Sequence, residues 1–291
     1  MRIGLQLPSY TWPGGPAEIA PHLARIARAA EEAGFASLWV MDHYFQVTPW
    51  GGPDQPMLEA YTTLGYLAAA ASRIQLGSLV GGVIYRYPGL LVKTVTTLDV
   101  LSGGRAWFGI GAAWYEREAV GLGVPYPPRA ERFERLEETL QIARQMWSGE
   151  VTPYHGQHYQ LAEPLTNPQP LARPHPPIMI GGNGERKTLR LVAQYADACN
   201  LLVPDPGEAR HKLEVLKRHC AEVGREYDEI ERTSLIEVRN APGRMTGAEI
   251  AALCREQEAE GVQHVIVNLP DAHDPAVLEM FGREVIPAFH E

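Results

Sequence analysis

The 291-residue chain is 45% hydrophobic and 21% charged, with a formal net charge of −9 at pH 7. That balance suits a soluble globular protein with a sizeable core, gives no electrostatic reason to expect nucleic acid as a partner, and leaves no run near the roughly 20 apolar residues of a membrane span. Three widely spaced cysteines, Cys199, Cys220 and Cys254, argue against a disulfide framework or a paired-cysteine metal site; with an N-terminus that lacks the pattern of a secretory signal, they point to the cytoplasm.

Taken in order, Arg2 to Leu7 reads as a strand, and the turn-rich Trp12-Pro13-Gly14-Gly15-Pro16 leads into a helix over Ala17 to Ala33. Its apolar residues Ile19, Leu23, Ile26, Ala27 and Ala30 recur at helical spacing, and Gly34 stops it. A second strand, Ala36 to Met41, breaks off into Asp42, His43, Tyr44 and Phe45. The loop that follows, to Pro56, carries Trp50 and exceeds the roughly two to six residues usual for such connections. An alanine-rich helix over Met57 to Ser72, a strand over Ile74 to Val80, a loop from Gly81 to Pro88, a helix over Gly89 to Leu101 and a strand over Arg105 to Gly111 continue the alternation.

After an insert from Ala112 to Ala130, a helix is predicted over Arg132 to Ser148. Residues 150–177 are proline-rich without helical period, and read as an irregular excursion with room for a short hairpin rather than as a linker between domains. The rhythm resumes with strands over Pro177 to Ile180, Asp197 to Val203, Glu231 to Arg239 and His264 to Asn268. Helices over Glu185 to Tyr195, Gly207 to Val223, Thr246 to Glu260 and Pro275 to Ala288 intervene. Eight alternations predict one (β/α)8 TIM barrel domain over residues 1–291, with loop insertions at its C-terminal rim.

Ligands in such barrels collect where the strands end. Asp42 and His43 would stand there, where an imidazole can hold or release a proton near neutral pH; a helix cap beside a surface histidine is the plainer alternative. Gly181-Gly182-Asn183-Gly184, between a strand and a helix, suits a phosphate cradle as well as an ordinary glycine turn. Phe108 to Trp114 ends a strand in glycines and alanines, leaving space for a flat ligand against bare backbone, and Gly81-Gly82 is a third such place. Trp50, Trp114 and Tyr115, with Tyr44 and Phe45, are candidates to enclose an apolar cleft or simply to seal loops. Histidines 155, 158 and 175 lack the close spacing of a metal site, and there is no HExxH and no Gly-x-Ser-x-Gly. No metal is expected.

The segments Leu38-Trp39-Val40-Met41-Asp42-His43, Thr97 to Arg105, Phe108 to Trp114, Arg132 to Glu138 and Pro176 to Gly182, in this order, resemble the luciferase-like monooxygenase superfamily, specifically its coenzyme F420-dependent oxidoreductases. The resemblance spans nearly the whole chain and implies an α/β barrel with insertions. It implies that Asp42 and His43 lie beside a deazaflavin ring, with His43 moving a proton and Asp42 orienting it. It further implies a backbone bulge at Leu79-Val80, with Gly81, often with a non-prolyl cis peptide, that supports the ring. Gly111 and Ala112 match positions near the cofactor tail, and Gly182, Asn183 and Gly184 match a phosphate-binding turn. The sugar-phosphate-specific member of the family carries a catalytic glutamate shortly after strand four. Here Trp114 stands in that place, with Glu116 and Glu118 as the nearest carboxylates, so action on glucose 6-phosphate is not expected.

The resulting expectation is hydride transfer between C5 of F420 and a small, largely apolar organic substrate, in a cytoplasmic homodimer, with Trp50, Trp114 and Tyr115 shaping the substrate side. The alternatives are an FMN-dependent monooxygenase on the same fold and a deazaflavin-binding protein without catalysis.

Overall fold

The computed structural model describes residues 1–203, 206–238 and 245–289. Eight strands form the frame: β1 (Arg2–Leu7), β2 (Ser37–Val40), β3 (Gln75–Ser78), β4 (Ala106–Gly111), β5 (Ile178–Gly181), β6 (Ala198–Leu201), β7 (Glu231–Glu237) and β8 (His264–Asn268). Each pairs in parallel with its neighbours in sequence order, and β1 pairs with β8, as in Leu5↔Val267. Pairing of Leu76↔Ala106 and Gly77↔Trp107 joins β3 to β4 and completes the ring. The (β/α)8 barrel expected from the alternation is therefore present.

Helices cover the outside: α1 (Pro16–Ala33), α2 (Ala60–Ala70), α3 (Pro88–Ser102), α4 (Glu116–Gly121), α5 (Arg129–Ser148), α6 (Thr188–Tyr195), α7 (Pro206–Val223), α8 (Gly247–Ala259) and α9 (Pro275–Met280). Their ends follow local chemistry. Proline opens α1, α3 and α9, where its fixed φ suits a first turn and its missing N–H costs nothing. Thr246 and Glu249 close a reciprocal capping box on α8. The final helix, expected to reach Ala288, instead ends at Met280 and passes through a π turn over Phe281–Val285 and a 3-10 turn over Ile286–Phe289. Gly282 lies there against the backbone of Ala33, where a Cβ would come within 3.0 Å of the Ala33 Cα. The predicted end of the seventh strand, Arg239, falls outside the described residues.

The interior of the ring is filled mostly by large side chains from the even strands: Trp39 of β2, Trp107 of β4 and Ile266 of β8, with Ala198 of β6. The two indoles meet edge to face at 5.6 Å, and they fit because β3 offers Gly77 at that level. A Cβ on Gly77 would stand 2.5 Å from the Trp39 ring. Met179 of β5 and Leu79 complete this inner cluster, separate from the larger core between strands and helices.

The proline-rich excursion contains a two-stranded antiparallel hairpin, Tyr154–His155 against Gln160–Leu161. Helix carboxylates pin it in place. Glu138 of α5 accepts from the backbone N–H of Gln157, His158 and Tyr159, and Asp99 of α3 accepts from those of Leu171 and Ala172.

Candidate active site

Between β3 and the start of α3 the chain leaves the regular ladder. Pairing with β4 stops at Gly77↔Trp107 and resumes at Gly81↔Ile110, so three residues, Ser78 to Val80, stand opposite two, Phe108 and Gly109. The extra residue makes a bulge, the usual device for re-aiming backbone at a barrel rim. The Leu79-Val80 peptide is cis. Polar side chains hold the displaced backbone: Gln6 Nε2 donates to the Leu79 carbonyl at 3.1 Å and Ser78 Oγ to the Gly109 carbonyl at 3.0 Å. Asn268 Nδ2 in turn fixes Gln6 through its Oε1 at 2.9 Å. Gly109 is required here, because a Cβ at that position would stand 1.9 Å from the Ser78 carbonyl oxygen.

Above the bulge lies a cavity of about 460 Å3, of the size that takes a small molecule or cofactor. Asp42, His43, Leu79, Val80, Gly81, Gly111, Ala112, Gly182, Asn183 and Gly184 all line it. So does Trp114, whereas Tyr115 stacks on Trp114 at 5.2 Å without reaching the wall. Trp50 closes a one-turn 3-10 helix, Thr48–Trp50, and is not part of the wall either. Besides Trp114, the aromatic residues that line the cavity are Tyr85, Tyr126 and Phe133.

His43 is oriented by a residue other than its sequence neighbour. Its Nδ1 lies 2.7 Å from Oε1 of Glu118, whose side chain is completely buried. Glu118 reaches it from α4, the short helix hidden in the insert after β4. The same carboxylate accepts from the backbone N–H of Tyr44 at 2.7 Å and of Phe45 at 3.0 Å, and from the Tyr85 hydroxyl. Burial alone would push the Glu118 carboxyl up, but the hydrogen bond and charge of His43, then the Phe45 N–H and the Tyr85 hydroxyl, hold it below the ordinary carboxylate range. An ionised Glu118 can only accept, so Nδ1 of His43 carries a proton and Nε2 is the nitrogen left for a ligand. Burial, followed by its bond to Glu118, raises the Tyr85 hydroxyl far above its ordinary value, and it stays a donor. Trp114 and Tyr115 pack edge-on against the imidazole at 5.3 and 5.8 Å.

Asp42, expected to orient His43, is occupied elsewhere. Its carboxylate takes a two-pronged bond from Arg86, at 2.8 and 2.9 Å, and a third from the Gly82 N–H at 3.0 Å. Arg86 also pairs with Glu59 at 2.5 Å and lies over the Tyr61 ring at 4.7 Å. Opposite charges this close, on side chains this buried, favour one fixed geometry, and here that geometry fastens the loop after the bulge to the end of β2. Asp42 thus borders the cavity as a structural anchor.

At the far end, Gly182 adopts a left-handed φ of 125° and Gly184 packs against Thr188 at the start of α6, where a Cβ would come 2.7 Å from the hydroxyl. The Asn183 side chain is spent on a clip: its Oδ1 accepts from Leu202 N–H at 2.9 Å and its amide donates to the Leu202 carbonyl. The turn therefore offers a ligand backbone and space. Arg132, buried with Nε on the Ala112 carbonyl at 3.0 Å and its guanidinium over Tyr126 at 4.2 Å, closes the wall between the two ends.

The sequence marks Glu118 only as a neighbouring carboxylate and Tyr85 only as a flank of Arg86, a candidate stacked arginine or anion clamp, and does not mark Tyr126 or Arg132 as site residues. The one signal available was Glu118 itself, an acid four residues after Trp114 in a segment bordering the rim.

Residues 1–258 match the family model described as luciferase-like monooxygenase. An F420-dependent glucose-6-phosphate dehydrogenase of Microbacterium testaceum is 31% identical over 259 residues, 88% of this chain and 74% of that one. One of the same name from Kineococcus radiotolerans is 36% identical over 170 residues, 57% of this chain; that match spans about half the relative's length, 48%. Among solved structures, the coenzyme F420-dependent tetrahydromethanopterin reductase of Methanopyrus kandleri superposes with a TM-score of 0.80 over 99% of both chains at 18% identity, a likeness of fold. With a closed parallel barrel, a bulged third strand and a family match over most of its length, the chain belongs to the luciferase-like monooxygenase family.

Proposed function

We propose that the protein is an F420-dependent oxidoreductase that exchanges a hydride with a small, largely apolar organic substrate. The observation that carries the reading is His43, held by the buried Glu118 and lining a cavity that also presents glycine backbone from three strand ends. The names of the two dehydrogenase relatives support the cofactor. A deazaflavin fits the residues present: Gly111 and Gly181 make room for the Val80 side chain, which with the Gly81 backbone gives the cavity an apolar floor, and the Gly182–Gly184 turn lies at the start of a helix where a phosphate is favoured.

When bound, F420 supplies the hydride chemistry at C5 of its ring. The protein's share is position and protons. Leu79, Val80 and Gly81 would support the ring from one side, and Gly111, Ala112 and the Gly182-Asn183-Gly184 backbone would hold the tail. His43 Nε2 would give or take the proton that accompanies reduction or oxidation of the substrate, while Glu118 holds the ring and stabilises the imidazolium. Trp114, Tyr85 and Tyr126 would exclude water and shape the substrate side. We further take the molecule to be one cytoplasmic barrel domain that pairs as a homodimer; light scattering of the purified protein reads the pairing.

Titration of the purified apoprotein with F420 and with FMN, followed by fluorescence, tests the cofactor. Micromolar or tighter binding of F420 with FMN much weaker is expected; the reverse order would replace the reading with an FMN-dependent monooxygenase. Turnover should then appear with enones, quinones or secondary alcohols. Turnover with glucose 6-phosphate would refute the apolar substrate class, and no turnover with any of these would leave a binding protein. His43→Ala is expected to slow a chemically limited reaction by about a hundred- to ten-thousandfold without loss of cofactor binding.

A further inference from the structure

Beside the Gly182–Gly184 turn lies a second cavity, of about 540 Å3, that shares Arg129, Phe133 and Gly184 with the first. Its wall adds Arg186, Lys187 and Lys212, with one carboxylate, Glu185. Four cations thus face one acid, on a chain whose net charge is −9. That acid is already engaged by Lys212 at 2.7 Å and His211 at 3.0 Å. Arg129, Arg186 and Lys187 have no carboxylate at ion-pair distance among the described residues. Arg129 and Lys187 instead lie over the ring of Phe133, at 5.8 and 5.5 Å from its centroid, which gathers two positive charges about one rigid platform.

Their place in the fold is unfavourable without an anion. Arg186 and Lys187 immediately precede α6, at the positive end of the helix dipole, where cations destabilise and anions are welcome. A phosphate on the glycine turn would satisfy the first cavity. The second, continuous with it through Gly184, points to further negative charge carried by the same ligand. FMN ends at its phosphate, whereas F420 continues past its phosphate into a chain of glutamyl carboxylates.

We propose that this second cavity is an anion subsite in which Arg186 and Lys187, with Arg129, hold the carboxylates that F420 carries beyond its phosphate, so that the protein selects F420 over FMN by its tail as well as by its ring. The proposal rests on the cofactor reading above and adds to it which residues read the tail. The contacts are solvent-exposed and screened, so each is expected to contribute the modest share of a surface ion pair and to weaken with salt.

The test is fluorescence titration of wild type and of the double variant Arg186→Gln/Lys187→Gln with two probes: F420 bearing several glutamates, and F420 trimmed to its phospholactate group, each at low and at high salt. Wild type should bind the long-tailed form more tightly, with the gap closing as salt rises. The double variant should lose about two- to thirtyfold for the long-tailed form, as two exposed pairs would give, and nothing for the trimmed form. Equal affinity of wild type for the two probes would overturn the subsite while leaving the cofactor reading intact. So would a double variant that binds the long tail as wild type does, or one that loses equally for both probes. Failure of both probes to bind wild type would instead remove the cofactor reading, and the subsite with it.

Discussion

Glu118→Gln is the most informative single change, because the carboxylate has four donors and an amide can serve only some of them. In the protein Oε1 takes His43 Nδ1 and the Tyr85 hydroxyl, and Oε2 takes the N–H groups of Tyr44 and Phe45. A carboxamide keeps one oxygen, hence two of these bonds, and turns an NH2 group toward the other two donors. A hydrogen bond to a charged partner contributes roughly 1.5–3 kcal/mol, and since the amide can donate to the ring in place of one lost bond, the change should cost about 1.5–3 kcal/mol. That is within the ~5–15 kcal/mol of an ordinary domain, so the variant should still fold. If the amide oxygen stays on the two backbone donors, the NH2 group faces His43, and the ring must accept at Nδ1 and carry its proton on Nε2. Nε2 could then donate but no longer accept, and Glu118 could no longer stabilise the imidazolium, so in the direction in which Nε2 takes the proton a loss of about a hundred- to ten-thousandfold in turnover is expected. Urea denaturation reads the first number, turnover with F420 the second, and nitrogen NMR of the imidazole the tautomer. A variant within 1 kcal/mol and threefold of wild type, with Nδ1 still protonated, would refute the assigned role of Glu118.

Arg86→Ala leaves Asp42, whose side chain is 1% exposed, buried with a single backbone donor, and should destabilise the protein by about 3–5 kcal/mol in urea denaturation; a change under 1 kcal/mol would show that the pair is not an anchor. Gly109→Ala puts a methyl 1.9 Å from the Ser78 carbonyl oxygen and should cost more than about 3 kcal/mol or abolish soluble expression, whereas normal stability would mean that the bulge can move. For acid stability, Glu31, Glu59, Glu118 and Glu231 are all held below the ordinary value of 4.5, in each case by hydrogen bonds that outweigh burial. Their folded values lie below their unfolded ones, so the stability they supply is complete above about pH 4.5 and is lost as pH falls through the folded values; a denaturation midpoint flat from pH 5 to 3 would contradict this. His264, held below 6.5 chiefly by burial at the base of the barrel, should add a shallower decline that begins near pH 6.5 and disappears in His264→Gln.

The barrel was legible because its strands are buried on both faces and its helices are marked by proline, glycine and capping residues. Pro88 and Gly103 bracket α3 as the pattern required, and Gly34 stops α1 in the left-handed conformation. The ends that shifted are those set by tertiary contacts, such as the π turn at Phe281, where the backbone meets Ala33. The ten residues that the family resemblance implied around the cofactor do share one cavity, and the glycines at three strand ends marked part of it independently. Pairings across long sequence separations were not legible. Glu118 and His43 are 75 residues apart, and Asp42 and Arg86 are 44 apart; nothing in the adjacency of Asp42 to His43 reveals that each is engaged by a more distant partner. Helix α4 has only six residues, Glu116–Gly121, too few to display a period. Whether a rim aromatic such as Trp50 faces inward depends on the path of its loop, which composition does not encode.

The mismatch of three residues against two between β3 and β4 has a meaning for how such a pocket could arise or vanish. A barrel with equal counts on the two strands would zip shut there and carry a flat, filled mouth. One surplus residue instead leaves a seam that Gln6, Ser78 and Asp42 close with side chains in place of ladder bonds. Those three positions are polar inside an apolar ring for reasons of construction, and a survey that scored buried polar residues as catalytic would misjudge them. Pocket and stitching form one unit of inheritance: a single-codon deletion within Ser78 to Val80 would strand all three at once, so the length of this segment should be as constrained as the identity of any residue that meets the ligand.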